Sequence, residues 1–469
     1  MVPSKGKDAG SGLLIFTTRG SNQWMKSITL WLSLMLTIQV GNLAGDWPQF
    51  RGPSAAGVAS EELPLPTKWN VESGENIAWR TEIPGLAHAS PVIWGDIVYV
   101  ATVVSSEKQD LRVGLYGDIG AANDQGPQTW RLLALDRKSG KVLWNKVAHE
   151  AVPRVKRHTK ATHCNSTPAT DGTHIVAIFG SEGLFCYDMN GALRWKKDLG
   201  PMDSGFFSVK SAQWGFASSP IIYEGKAVVQ CDVQTNSFIA VYDLKDGTEI
   251  WKTPRKDVPT WSTPTVAQVG QQAQILVNGW HHTGAYDFKT GKEIWRLDGG
   301  GDIPTPTPIV GHGMAFFTSA HGKYRPMTAV RLEAKGDVTP ENFGDTNAAI
   351  AWIHPRQGAY MQTPILVGDY LYSCTDNGVL TCFDARTGEI KYGERLVEGG
   401  QGFTASPVSD GKHLFFASET GNVVVVPTGP KFAVVARNSL GETCMASPAI
   451  SDRALYFRTR GNLVCVEKK

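Results

Sequence analysis

Apolar and polar positions along this chain fall into short runs separated by turn signals, and residues 363–396 show the unit most clearly. Thr363-Pro364 opens a run that turns at Gly368-Asp369, and residues 370–375 form a second, aromatic and polar run. Asp376-Asn377-Gly378 is a hairpin signal, since Asn and Gly accept positive φ. Residues 379–384 form a third run, Arg386-Thr387-Gly388 turns again, and residues 389–396 form a fourth. The unit is a four-stranded meander. Alone it cannot bury both faces, so it needs copies of itself.

The copies are present. A Ser-Pro or Thr-Pro marker recurs at Ser90-Pro91, Thr167-Pro168, Ser219-Pro220, Thr263-Pro264, Thr307-Pro308, Thr363-Pro364, Ser406-Pro407 and Ser447-Pro448. These prolines lie 77, 52, 44, 44, 56, 43 and 41 residues apart. The short spacings match the ~40–50 residues of one propeller blade, and the long ones imply insertions. Late in each unit an Asp, a turn ending in Gly and an aromatic follow in order: Asp136, Gly140, Trp144; Asp188, Gly191, Trp195; Asp243, Gly247, Trp251; Asp287, Gly291, Trp295; Asp384, Gly388, Tyr392. Trp352 ends the fifth unit after an irregular stretch, and the seventh lacks the aromatic. The eighth unit stops one strand short, and the missing strand with its Trp is found at Asn76-Ile77-Ala78-Trp79-Arg80. Pairing the two ends closes a ring and removes exposed strand edges. The pattern predicts an all-β fold, an eight-bladed β-propeller over residues 76–469. Each Trp is expected to wedge between neighbouring blades, using both its area and its indole N–H.

The Pro marker, the Asp-turn-Gly element and the Trp resemble the tryptophan-docking repeat of quinoprotein dehydrogenases and of their non-catalytic relatives in outer-membrane protein assembly. Residues 46–53, Asp-Trp-Pro-Gln-Phe-Arg-Gly-Pro, resemble the opening of secreted bacterial quinoprotein-like propellers. The resemblance covers roughly residues 76–469 and implies the fold; function does not follow from fold alone. A quinoprotein alcohol dehydrogenase would hold pyrroloquinoline quinone and calcium, and such enzymes typically carry adjacent cysteines near the cofactor. This chain has no Cys-Cys pair and no Cys-x-x-Cys-His for a covalent haem.

Residues 1–45 predict a secretory signal segment. Lys26 precedes a mostly apolar run at 28–40, and small residues follow. The run is shorter than the ~20 residues that span a bilayer comfortably. Export to the periplasm or outside the cell is therefore expected, with no membrane span in the mature form. Residues 46–75, punctuated by Pro and Gly and holding Trp47, Phe50 and Trp69, are expected to form an irregular arm packed on the ring. The whole chain carries a formal charge of +2, and the segment removed carries +3, which leaves −1. No basic surface for nucleic acid is implied. Cys186, Cys382 and Cys465 occupy one repeat-equivalent position and are expected to be buried in different blades, too far apart to pair.

Candidate chemistry gathers in the insertions. Residues 105–129 interrupt the first blade. Asp118, Asn123 and Asp124 there are oxygen donors for a hard cation, although their spacing fits a solvated turn better. Residues 149–163 are basic and His-rich. The residues three places before each marker proline are expected to ring the channel mouth: His88, Asn165, Ala217, Trp261, Thr305, Met361, Thr404 and Met445. A second insertion, residues 201–214, adds Phe206, Phe207, Lys210 and Trp214, and an irregular stretch at 321–349 marks the fifth blade. His281-His282 falls in a strand-to-strand turn. If the insertions share one face, that face carries the function. The candidate ligand- or cofactor-binding residues are His88, His158, Lys160, His163, Asn165, Trp214 and Trp261, suited to a planar anion or an acidic sugar. No catalytic residue is nominated.

The expected function is a binding or scaffold module at the cell envelope, with a protein, peptide or glycan as partner. The alternative is a quinone-dependent alcohol or sugar dehydrogenase, for which Asn165, Asp302 and Asp376 are the calcium ligands to test. A polysaccharide hydrolase or lyase has no motif here. On the binding reading, Lys160→Ala or Trp214→Ala is expected to weaken a ligand without unfolding the ring.

Overall fold

The computed structural model describes residues 45–59, 64–107, 109–115, 119–124, 126–209 and 211–469. Residues 1–44, where a signal segment is expected, and Asp118 and Lys210 lie outside the described residues. The described chain forms eight antiparallel sheets in a closed series, an eight-bladed β-propeller. The first blade is Val92–Trp94, Ile97–Ser105, Gln128–Asp136 and Val142–Ala151. The sixth is Ile365–Val367, Tyr370–Cys374, Val379–Asp384 and Ile390–Arg395, close to the runs expected from residues 363–396. Ile77–Glu82 completes the eighth blade by pairing antiparallel with Asn462–Glu467, Trp79 opposite Cys465.

The repeated residues explain how one blade fastens to the next. In each Asp-turn-Gly element the Asp carboxylate accepts a turn amide, as from Ser139 to Asp136 and from Thr290 to Asp287 (2.8 Å each). The Gly sits at positive φ, and the Trp of the preceding blade lies against it. A Cβ on Gly140 would stand 2.5 Å from the Trp79 ring, and one on Gly388 2.7 Å from Trp352. The indole N–H then donates to a carbonyl of that same turn: Trp79 to Arg137 (2.9 Å), Trp195 to Leu244 (2.7 Å), Trp251 to Phe288 (2.9 Å) and Trp352 to Ala385 (3.0 Å). A register shift beside the aromatic occurs where the outer strand pairs in seven blades. The seventh blade, which lacks the aromatic, pairs without one. A bulge re-aims one side chain, so bulge and docking residue go together.

The marker hydroxyls make an inner fastening. The Ser90 amide donates to the Thr167 hydroxyl (2.9 Å), Thr167 to Ser219 (2.9 Å) and Ser219 to Thr263 (3.0 Å). Thr307 donates likewise to Thr363 (3.0 Å), Thr363 to Ser406 (2.9 Å) and Ser406 to Ser447 (2.9 Å). The following Pro fixes φ and has no amide of its own to satisfy.

Antiparallel order places the second-to-third-strand turns and the blade-to-blade links at one end of the ring. The described parts of the segments 105–128, 198–220 and 319–326 share that end. The fifth-blade stretch departs from the expectation. Its later part lies between third and fourth strands, hence at the opposite end, and Gly336–Asp337 pairs parallel with Glu293–Leu297 as a fifth strand on the outer edge of the fourth blade.

The arm crosses the base of the channel. Trp47 exchanges backbone hydrogen bonds with Ile93 (2.9 Å each), Pro48 accepts from the Thr170 amide (2.8 Å), and Ala59 donates to Ser409 (2.9 Å). Arg51 is fully buried, and its guanidinium donates to the carbonyls of Ala55 (3.1 Å), Ala56 (3.2 Å), Pro364 (2.9 Å) and Pro407 (2.7 Å). Two of those acceptors are marker prolines. Burial lowers the Arg51 pKa to about 9, which leaves it charged at neutral pH. All seven cysteines are buried and unpaired.

Candidate functional site

With its base crossed by the arm, the channel holds a cavity of about 710 Å³ whose deep residues include Phe50. That volume lies within the usual range for small-ligand sites. All eight residues three places before the marker prolines line it, His88, Asn165, Ala217, Trp261, Thr305, Met361, Thr404 and Met445. Inner strands start there, so each blade contributes one such residue.

One wall comes from the link between the first and second blades. Lys160 and Glu419 are both 1 % exposed, and Lys160 Nζ lies 2.8 Å from each Glu419 oxygen. Glu419 also accepts from the Gly114 amide (2.7 Å) and the Thr404 hydroxyl, while Lys160 donates to the Gly114 carbonyl. The pair ties the link and the first-blade insertion to the seventh blade, and its charge is committed inside the protein. His158 Nδ1 accepts from the Lys160 amide (3.1 Å), and His88 Nε2 donates to the Lys160 carbonyl (2.8 Å). Asn165 closes the same loop, accepting from the Thr162 amide (2.9 Å) and hydroxyl (2.8 Å) and donating to Phe216 (3.2 Å).

His163 does not join the cavity lining. Its Nε2 lies 3.7 Å from Asp124, and its ring meets Trp130 edge-on. Asp124 is no solvated turn residue. It is buried and accepts from Arg157 Nε (2.7 Å) and Gln109 (3.0 Å), because the insertion folds back over the ring. Burial would raise its pKa, but His163 and Arg157 outweigh that and hold the carboxyl well below its usual range.

The adjoining wall is aromatic, with the His158 ring edge-on to Trp214 at 5.6 Å. Trp214 and Trp261 stand 5.6 Å apart with a 32° tilt, and Phe206 stacks on Trp214 at 5.8 Å. Their indole N–H groups are spent on the Ile119 carbonyl (3.3 Å) and the Gly215 carbonyl (2.8 Å), so ring surface faces the ligand space. A third sector was named from the sequence only through Asp302 and Asp376, as calcium ligands of the alternative reading. His321 Nδ1 lies 2.6 Å from Asp302, and His321, Arg325, Tyr360 and Asp376 all line the cavity. His321 holds φ 76°, a left-handed conformation that is strained for His. No local signal distinguishes these turn residues, or Glu419, from solvated ones.

Burial pushes the His158 ring down to about 4, helped by Lys160, Arg112 and Arg157. Burial likewise takes His88 to about 4, against a small opposing effect of the Lys160 carbonyl. A base with a depressed folded pKa takes up a proton on unfolding. Stability therefore rises with pH between about 4 and the ordinary His value of about 6.5, and is full above it. Urea unfolding at pH 7 and pH 5 is expected to show the loss, with a flatter dependence in His158→Gln; parallel pH profiles for the two proteins would contradict it.

The residues do not fit a calcium-held quinone. Asn165 Oδ1 already accepts two hydrogen bonds, Asp302 holds His321, and Asp376 is the only carboxylate among the described lining residues. Among the described residues no three His, Cys, Asp or Glu side chains gather as metal ligands. His282 instead lies 2.8 Å from Glu293. No cysteine lines the cavity. Among the described residues, no helix is long and apolar enough to cross a membrane.

Comparisons with known proteins agree with this architecture. The chain is 26% identical over 220 residues to outer membrane protein assembly factor BamB of Alkalilimnicola ehrlichii, a match that spans 45% of this chain and about half, 51%, of that relative. Its fold is similar to that of BamB from Moraxella catarrhalis (TM-score 0.53, 14% identity, 78% of this chain and 98% of that one). It is similar in fold also to a quinohemoprotein alcohol dehydrogenase from Comamonas testosteroni (0.60, 13%, 91% and 82%) and to a europium-containing methanol dehydrogenase (0.56, 12%, 90% and 91%). The family model described as outer membrane protein assembly factor BamB matches residues 59–205 and 128–394, and the chain belongs to that family.

Proposed function

We propose that this protein is an exported binding module of the cell envelope, periplasmic or extracellular, which receives a small ligand or the end of a longer one in its channel. The observation that supports this most is the cavity itself: its base is crossed by the arm, and one wall presents uncovered aromatic surface. Family membership and the likeness to assembly factors support a place in the envelope with a protein, peptide or glycan partner. Trp214, Trp261, His88, His158 and Asn165 are the proposed contact and lining residues. Lys160 lines the cavity with its charge held by Glu419, and His163 lies behind the lining, beside Asp124.

The competing reading is a pyrroloquinoline-quinone dehydrogenase, favoured by fold likeness alone. Titration of the protein with that quinone, with and without calcium, followed by absorbance and calorimetry, separates the two. The binding-module reading expects no calcium-dependent one-to-one uptake and no dye reduction with alcohols or aldoses. Tight calcium-dependent uptake with dye reduction would replace it by the oxidoreductase.

A further inference from the structure

The sector formed by the fifth and sixth blades holds two opposite charges that do not meet. Arg325 and Asp376 both line the cavity, yet no ion pair within 4.0 Å forms between them. Among the described residues neither side chain has a side-chain hydrogen-bond partner; the Asp376 carboxylate accepts from its own backbone amide and feels the Arg325 charge. Burial raises the Asp376 pKa in spite of that. The other charges facing the cavity are committed, Lys160 to Glu419. His321 is held by Asp302 on the loop that also carries Arg325.

Each feature restricts the ligand. A guanidinium offers only donors and suits a carboxylate; a carboxylate offers only acceptors and suits hydroxyl groups. A plain polyanion would be repelled by Asp376, and a neutral polyol would leave Arg325 unanswered. In the same cavity, with Phe206 edge-on to His321, the rings of Trp214, Trp261 and Phe206 form a tilted apolar platform with no free N–H, which suits the C–H face of a sugar ring. Thr305 adds a hydroxyl that both donates and accepts. A base crossed by the arm favours an end over a continuous strand.

We infer that the cavity takes the end of an acidic saccharide, with its ring on the Trp214–Trp261 platform, its carboxylate on Arg325 and its hydroxyls on Asp376. This rests on the reading of the cavity as a ligand site. It leaves the ring and its stability untouched.

Calorimetric titration with trigalacturonate, maltotriose and triglutamate tests it. Trigalacturonate is expected to bind at least tenfold tighter than either of the others. Arg325→Gln should weaken trigalacturonate tenfold or more and leave maltotriose unchanged; Asp376→Asn should weaken both sugars; both variants should melt as the parent does. Equal binding of maltotriose, or equal binding of triglutamate, overturns the acidic-saccharide assignment while keeping the cavity as a ligand site. Silence of all three probes overturns it as well, and the quinone titration then decides separately what the cavity holds.

Discussion

Lys160→Ala is expected to lower the unfolding free energy by about 3–5 kcal/mol, the range for breaking a buried ion pair from one side. Glu419 would stay behind at 1 % exposure with its countercharge gone. Two donors, the Gly114 amide and the Thr404 hydroxyl, would remain, and they cannot neutralise it. The loss should appear as a lower urea midpoint. The first-blade insertion, anchored through Gly114, should exchange its amides faster. The double variant Lys160→Met with Glu419→Leu should recover most of the loss, because removing both charges also removes the desolvation cost. A single variant as stable as the parent would mean that water reaches the pair. Simple weakening of a ligand, expected for Lys160→Ala from the sequence, is thus replaced by destabilisation. Trp214→Ala, whose ring is partly exposed at the cavity, remains the cleaner probe of binding.

Arg51→Leu is expected to be comparably damaging, by about 3 kcal/mol or more. Three buried carbonyls and the part-buried one of Ala56 lose their donor at once, and an orphaned buried polar group costs roughly 1–3 kcal/mol when no water replaces the partner. Two of those carbonyls belong to Pro364 and Pro407 in neighbouring blades, so the arm loses its fastening across the base. The backbone around Arg51 has little freedom to compensate. Gly52 holds φ 72°, and a Cβ there would stand 2.7 Å from the Trp47 ring. Hydrogen exchange at Trp47, Gly57, Ala59 and Ser409 should rise together with the drop in stability. Protection unchanged at those amides would show that the arm is held by its apolar contacts instead. Because Phe50 lines the cavity beside this fastening, saccharide binding should weaken in the same variant.

What could be read from the sequence is what repeats at short range. The marker proline, the Asp-capped turn, the Gly at positive φ and the Trp that lies on it act within one blade or between adjacent ones. Their spacing therefore records the contact, and eight repeats of the same contact specify the ring. The strand at Ile77–Glu82 was legible because its absence from the other end left a gap of one strand. Even the eight channel-lining positions followed, since each stands at a constant offset from its proline.

The site's chemistry was decided only by closure of the ring. Lys160 meets Glu419 across 259 residues, and Arg51 meets Pro364 across 313 and Pro407 across 356. Such distances leave no periodic trace, so a committed lysine reads like a free one and a buried Glu in a turn reads like a solvated one. Lys160 and His163 were legible as cations near the channel, but not as partners of Glu419 and Asp124. Arg325 and Asp376 show the converse. Both sit in turn-rich stretches where charge is ordinary, and the fold alone brings them to one cavity, near enough to influence each other and too far apart to pair. Repetition is a local property and survives in the sequence; which charges are neutralised depends on long-range contacts that exist only once the blades have closed.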